Sequence, residues 1–307
     1  MAYTSGDTIL ATHFNSFRGD FNTNWGVGSG DQGYGQSNTI SAVSAGDTVT
    51  ATQWSTLLAR ISSAALHQGT SLTSITSPSA GDTISAFAAL AANITSVNTN
   101  RLNIDTGNYA DTTSTQAASG SWTTSTVHTF TLTFAGGDEA RYYYNCGGSS
   151  RFTFSRAGGT SHTKNTEWSN LATACGTVIF AAQGTTKSGG SGGGGGSDVI
   201  ATTIGYQDMT TSAQTIFKQM EGDSPYTSNF ISITAKTNAV NSDGNGDNGH
   251  ILTFVVTWSD AAADDFNDTV DGTVTDTITH RTPNTTRLNN ASWSAAPAYA
   301  NTSFTQS

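Results

Sequence analysis

His128-Thr129-Phe130-Thr131-Leu132-Thr133-Phe134 puts a large side chain at every even position and a threonine at every odd one. Successive side chains of an extended chain point to opposite faces, so a period of two means a half-buried strand with a wet hydroxyl face. The same rhythm returns in Ile251–Trp258, where Leu252, Phe254, Val256 and Trp258 share a face. In Thr269–His280, Val270, Val274 and Ile278 oppose Thr273, Thr275, Thr277 and Thr279. Threonine suits this use, because its branched carbon fits a pleated surface while its hydroxyl stays solvated.

Shorter runs extend the pattern. Gly136-Gly137-Asp138 turns the first strand toward a tyrosine-rich strand over Ala140–Asn145, and Arg151–Ser155, Thr177–Ala182, Val199–Tyr206 and Phe230–Ala235 read as further strands. Two stretches carry helical spacing instead: Lys164–Ala174 through Trp168, Leu171 and Ala172, and Thr211–Met220 through Ile216, Phe217 and Met220. About eight strands with turn residues between them and two short helices predict an antiparallel β-sandwich or jelly-roll-like domain over residues 122–280. Ser188–Ser197 is almost all glycine and flexible by composition, either a long hairpin loop or the joint between two half-domains. Residues 105–121 lack an apolar period and read as a linker or an extended connection, and residues 281–307 as an extended C-terminal arm.

Upstream, a phrase recurs three times: Ser5-Gly6-Asp7-Thr8-Ile9, Ala45-Gly46-Asp47-Thr48-Val49 and Ala80-Gly81-Asp82-Thr83-Ile84, with starts 40 and 35 residues apart. Each precedes a helical stripe, which makes each repeat a turn-then-helix unit. Trp54, Leu57, Leu58, Ile61 and Ala65 form the clearest stripe, with Thr52 expected as its N-cap and Gly69 as its stop. Phe14, Phe17 and Phe21 take matching offsets before it, and Phe87, Leu90, Ile94 and Val97 a shifted phase after it. No such helix buries its stripe alone, so residues 1–104 are expected to form a small helical attachment or oligomerisation domain, the stripes packing on one another or on other copies. The fold class is therefore α+β, mainly β. Trp54, Leu57 and Ile61, with Trp293, Tyr299 and Phe304 spaced along the arm, are the expected interface residues, and a homo-oligomer, a trimer or higher ring, is the expected state.

Composition narrows the function. Charged residues are 11% of the 307, below the ~25% usual in soluble domains. A surface of neutral hydroxyls and amides has little self-repulsion and suits a subunit that packs against its own kind. The net charge of −10 with scattered Lys and Arg argues against binding nucleic acid, which needs a basic footprint, and against anionic membrane surfaces. No run approaches the ~18 apolar residues of a membrane span, and the opening Met-Ala-Tyr-Thr-Ser-Gly-Asp lacks a basic start and an apolar core, so synthesis without a secretion signal is expected. Cys146 and Cys175 are too few for a disulfide framework and read as two buried thiols or one bridge.

Catalytic and ligand motifs do not assemble. Gly28–Gly33 matches G-x-G-x-x-G without a preceding strand, Gly189–Gly193 matches G-x-S-x-G inside a glycine run, and Arg18-Gly19-Asp20 falls within a helical pattern. His13, His67, His128, His162, His250 and His280 take no metal-ligand spacing. Glutamate is scarce, only Glu139, Glu167 and Glu221, which weakens a paired-carboxylate glycosidase. Asp243, Asn245 and Asp247 hold the first, third and fifth places of a calcium loop, but the glycine is displaced and Phe254 stands at the twelfth. They form a weak Ca²⁺ candidate in what reads as a plain turn, and Asp264, Asp265 and Asp268 have the same status. No cofactor and no enzymatic activity are expected.

Several phrases carry a likeness. Asn24-Trp25-Gly26, Gly33-Tyr34-Gly35-Gln36 and Ser44–Trp54, then Lys164–Leu171 and Ser224–Asn229, resemble virion structural proteins of tailed phages of marine bacteria, of the cyanophage type. The resemblance covers most of residues 1–260 and rests on structural phrases, so it transfers no functional residues. It implies a tail, neck or fibre-like appendage protein that meets other virion proteins and a host surface glycan or receptor, made in the host cytoplasm and released by lysis. A capsid decoration protein and a carbohydrate-binding adhesin module are the alternatives, and a polysaccharide-degrading enzyme is a third class.

Overall fold

The computed structural model describes residues 11–27, 32–79, 86–190, 194–240, 249–262 and 269–288, and the backbone of 298–306. The chain divides into two compact units. One takes the described parts of 1–110, 142–147 and 283–294, and the other those of 111–141, 148–282 and 295–307.

The first unit holds α1 (Ala11–Trp25), α2 (Ala51–Gln68) and α3 (Phe87–Thr99). Thr50 caps helix α2, two residues before the expected Thr52. The Thr50 hydroxyl accepts from Gln53 N while the Gln53 side chain takes Thr50 N, a reciprocal capping box. Gly69 ends the helix at φ +72, a left-handed conformation that glycine adopts without a Cβ penalty. The three stripes meet within the chain. Phe14 lies 5.9 Å from Trp54, Phe17 stacks on Phe87 at 5.8 Å, and Trp54 meets Phe87 edge-on at 5.9 Å. Trp54, Leu57 and Ile61, expected at an interface, are each at most 2% exposed in the chain, and Trp54 packs against rings of α1 and α3.

Asparagine amides tie the intervening segments to these helices. Asn15 bonds both N and O of Val43, Asn22 both those of Ile40, and Asn93 both those of Thr73. Each amide donates and accepts at once, matching the backbone groups of a passing extended chain. This satisfies polar backbone that no ladder pairs.

The second unit is mainly β, with two antiparallel sheets. The five-stranded sheet runs β1 (Tyr109–Ser119), β10 (Thr273–Pro283), β3 (Ser149–Ala157), β4 (Thr177–Phe180), β5 (Thr185–Ser188). The six-stranded sheet runs β11 (Ala298–Gln306), β2 (Ser125–Thr133), β9 (Ile251–Ser259), β8 (Phe230–Thr237), β7 (Gln214–Glu221), β6 (Gly195–Ile200). The strand that opened the sequence reading is β2, and it pairs in antiparallel register with β9, Phe130 opposite Phe254 and Leu132 opposite Leu252. Phe254 lies 5.1 Å from Phe152 of β3 and 5.2 Å from Phe180 of β4, joining the two sheets' side chains in one core. Helix α5 (Thr163–Ala174) adds Trp168 to it, 5.7 Å from Trp258.

Several stretches depart from the sequence reading, and the strand expected over Val199–Tyr206 ends at Ile200. Residues 109–119 of the expected linker form β1, an edge strand exposed along most of its length with polar Ser114 and Gln116 at half-buried positions, so it shows no apolar alternation. Thr211–Met220 is not a helix but contains most of β7. A register shift between Thr215 and Phe217 turns both Ile216 and Phe217 inward, which imitates helical spacing in the sequence. Ala140–Asn145 is the end of helix α4 (Gly137–Asn145), where Asp138 and Glu139 occupy the first turn and favour its positive end. Ala298–Gln306 of the expected arm is a strand on β2.

Candidate functional site

Helix α5 carries Glu167, strand β7 ends at Glu221, and Asp223 follows two residues later. One carboxylate oxygen of each lies within 4.8 Å of the others, the one such group of three or more ligand-bearing side chains among the described residues. Glu221 is 2% exposed, Glu167 half-buried and Asp223 exposed, so the cluster grades from interior to surface. Glu221 Oε1 accepts from Gly222 N at 2.8 Å and Asp223 N at 3.3 Å. Its Oε2 is buried and has no hydrogen-bond partner among the described residues. Asn170 Nδ2 donates to Glu167 Oε2 at 3.2 Å.

The glycines beside it have a steric reason. Gly194 sits at φ +98, and a Cβ there would come within 2.7 Å of Asn170 Cβ, 3.2 Å of Glu221 Oε1 and 3.5 Å of Glu167 Oε2. At Gly196 it would come within 2.6 Å of the Glu221 carbonyl oxygen. Glycine lets the backbone lie against the carboxylates, and Gly194 O accepts from Gly222 N at 3.0 Å to hold it there. The stretch expected to be loop for its composition is in part β6, placed by close approach.

Burial pushes the Glu221 carboxyl up to about 7, the two backbone N–H groups pull it back, and the negative charges of Glu167 and Asp223 push it further up. These are oxygen donors only, the chemistry of hard cations. A glycosidic oxygen would have to reach a carboxyl that is almost wholly enclosed, so this pair is poorly placed for sugar cleavage.

Of the residues singled out from sequence, Glu167 and Glu221 belong to this cluster. Asp243, Asn245 and Asp247 fall outside the described residues, as do Asp264, Asp265, Asp268 and Trp293. Tyr299 and Phe304 lie on β11. His67, His128, His162 and His280 serve as internal hydrogen-bond partners: His67 with Cys146 O, His128 with Asp276, His280 with Ser150, and His162 as the cap of α5. Cys146 and Cys175 are free and buried. The missed signal was scarcity itself: two of only three glutamates converge on one point. No family model, curated protein or solved structure matches the chain.

Proposed function

We propose that this chain is a structural component of a tailed-phage virion, a self-assembling, non-catalytic tail, neck or fibre-like appendage protein. The two sheets are read as the halves of a sandwich or jelly-roll-like domain that forms the outward body. The three helices are read as a repeat-built head that attaches it.

The observation that carries the reading is the outer face of the five-stranded sheet. Thr113 and Thr279 hydroxyls lie 3.2 Å apart, Thr115 and Thr277 3.2 Å, and Ser119 and Thr273 2.9 Å. The β1 members are exposed and the β10 members half-exposed. This is a row of neutral donors and acceptors, suited to close packing of identical subunits without charge repulsion. The resemblance to phage virion phrases supplies the particle.

The adhesin alternative predicts aromatic rings exposed on a β face. Among the described residues the exposed large apolar side chains are Val27, Leu66 and Val199, none aromatic, which favours the assembly reading. Light scattering on the chromatographed protein tests it: a mass several times 31.8 kDa is expected. A monomer that also binds a glycan array would replace it with the adhesin reading. Labelled protein located on the capsid rather than on the tail or neck would favour a decoration protein.

A further inference from the structure

We propose that Glu167, Glu221 and Asp223 bind a hard divalent cation, Ca²⁺ foremost, that staples α5 to the end of β7. Two independent observations support this. Three carboxylates bring oxygens within 4.8 Å of one another, an arrangement whose like-charge repulsion a cation among them relieves. Separately, Glu221 is 2% exposed and its Oε2 has no hydrogen-bond partner among the described residues. A buried oxygen left without a donor carries its full desolvation cost, and a cation relieves it.

The charged side chains that act on Glu221 are Glu167 and Asp223, both negative. The nearby ammonium of Lys187 is engaged elsewhere, 2.9 Å from Asp198 and 2.7 Å from Gln219 Oε1. The ligand type selects the ion. An all-carboxylate set without His or Cys suits Ca²⁺, Mg²⁺ or Mn²⁺ rather than zinc or copper. A set drawn from a helix, a strand end and the turn after it offers irregular geometry, with the exposed Asp223 side open to water. Ca²⁺ accepts six to eight oxygens in variable geometry, whereas Mg²⁺ demands a near-ideal octahedron. The backbone donors on Oε1 orient the Glu221 carboxylate and leave Oε2 available.

This inference stands apart from the virion reading. Its test uses the full chain, freed of metal by chelator and dialysis, then melted in CaCl₂, MgCl₂ or NaCl of equal ionic strength. CaCl₂ is expected to raise the melting temperature by roughly 5 °C when far above its dissociation constant, MgCl₂ by less, and NaCl not at all. Calorimetric titration is expected to find about one ion per chain at this site, with affinity falling at least ~10-fold in Glu167→Gln and in Asp223→Asn. Asp223 is exposed, so its variant keeps the fold even if Glu167→Gln does not. Indifference of the wild type to about 10 mM Ca²⁺, above the range of weak calcium modules, would overturn the proposal. So would an undiminished response in Asp223→Asn and Glu167→Gln, which would place the ion elsewhere.

Discussion

His128 Nδ1 lies 2.6 Å from Asp276 Oδ2, and neither side chain is more than 1% exposed. The pair crosses from β2 to β10, one strand in each sheet, and Trp258 Nε1 of β9 donates to the other Asp276 oxygen at 2.9 Å. Burial raises the Asp276 carboxyl, while the bond and charge of His128 and the bond from Trp258 pull it back. Replacing Asp276 by Ala strands two buried donors at once. The expected loss is about 3–5 kcal/mol in urea unfolding, with Asp276→Asn costing less because an amide oxygen still accepts from Trp258. A loss under ~1 kcal/mol for the alanine variant would mean that the sheets are held by their phenylalanines alone.

His280 sets an acid limit on the same unit. Burial lowers its imidazole to about 3, against roughly 6.5 in an unfolded chain. The folded state therefore resists taking up a proton that the unfolded state accepts. The stabilisation is full well above the unfolded value of ~6.5 and is lost as pH falls, by about 2.3 kcal/mol between pH 6.5 and 4.5. In His280→Asn the slope of unfolding free energy against pH over that interval is expected to be shallower than in the wild type by this amount. Identical slopes would remove His280 as the titrating group. His67, whose imidazole burial also lowers, adds an acid sensitivity of the same sign in the helical unit.

These two histidines show where sequence reading stops. Their neighbours were legible: Phe130, Leu132, Val274 and Ile278 follow a two-residue period, and α2 announces itself by its stripe and by Gly69. A polar residue on the inward face breaks no pattern strongly enough to reveal its partner, since His128 and Asp276 lie 148 positions apart. Strand β1 was invisible for the opposite reason: a mostly exposed edge strand needs no apolar face. The carboxylate cluster was hidden because Glu167 and Glu221 meet only through the placement of α5 against β7. β7 itself reads as a helix until its register shift is seen.

The helical unit owes its stability to rings from all three helices. Trp54 contacts Phe14, Phe17 and Phe87 and is 1% exposed, so Trp54→Ala is expected to cost about 3–5 kcal/mol. Thr50→Ala removes the hydroxyl of the capping box and should cost about 1 kcal/mol. Both losses arise inside one chain and should be the same at micromolar and nanomolar protein. A Trp54→Ala penalty that grows with protein concentration would assign that tryptophan to a subunit interface instead.

Cys146 and Cys175 sit in different units, both free and both 0% exposed. Burial raises both thiols far above their ordinary range. Only the thiolate is nucleophilic, so low access and low ionisation act together. With an aromatic disulfide reagent at pH 8 the native chain should react with neither thiol over minutes, and with both once urea unfolds it. Intermediate urea offers a sharper readout. If the units unfold separately, one thiol should appear before the other, and mapping the labelled residue identifies the weaker unit. Simultaneous appearance at every urea concentration would mean that the units unfold as one. Rapid labelling of either cysteine without denaturant would show that its shield opens readily, and the core assigned to that unit would have to be revised.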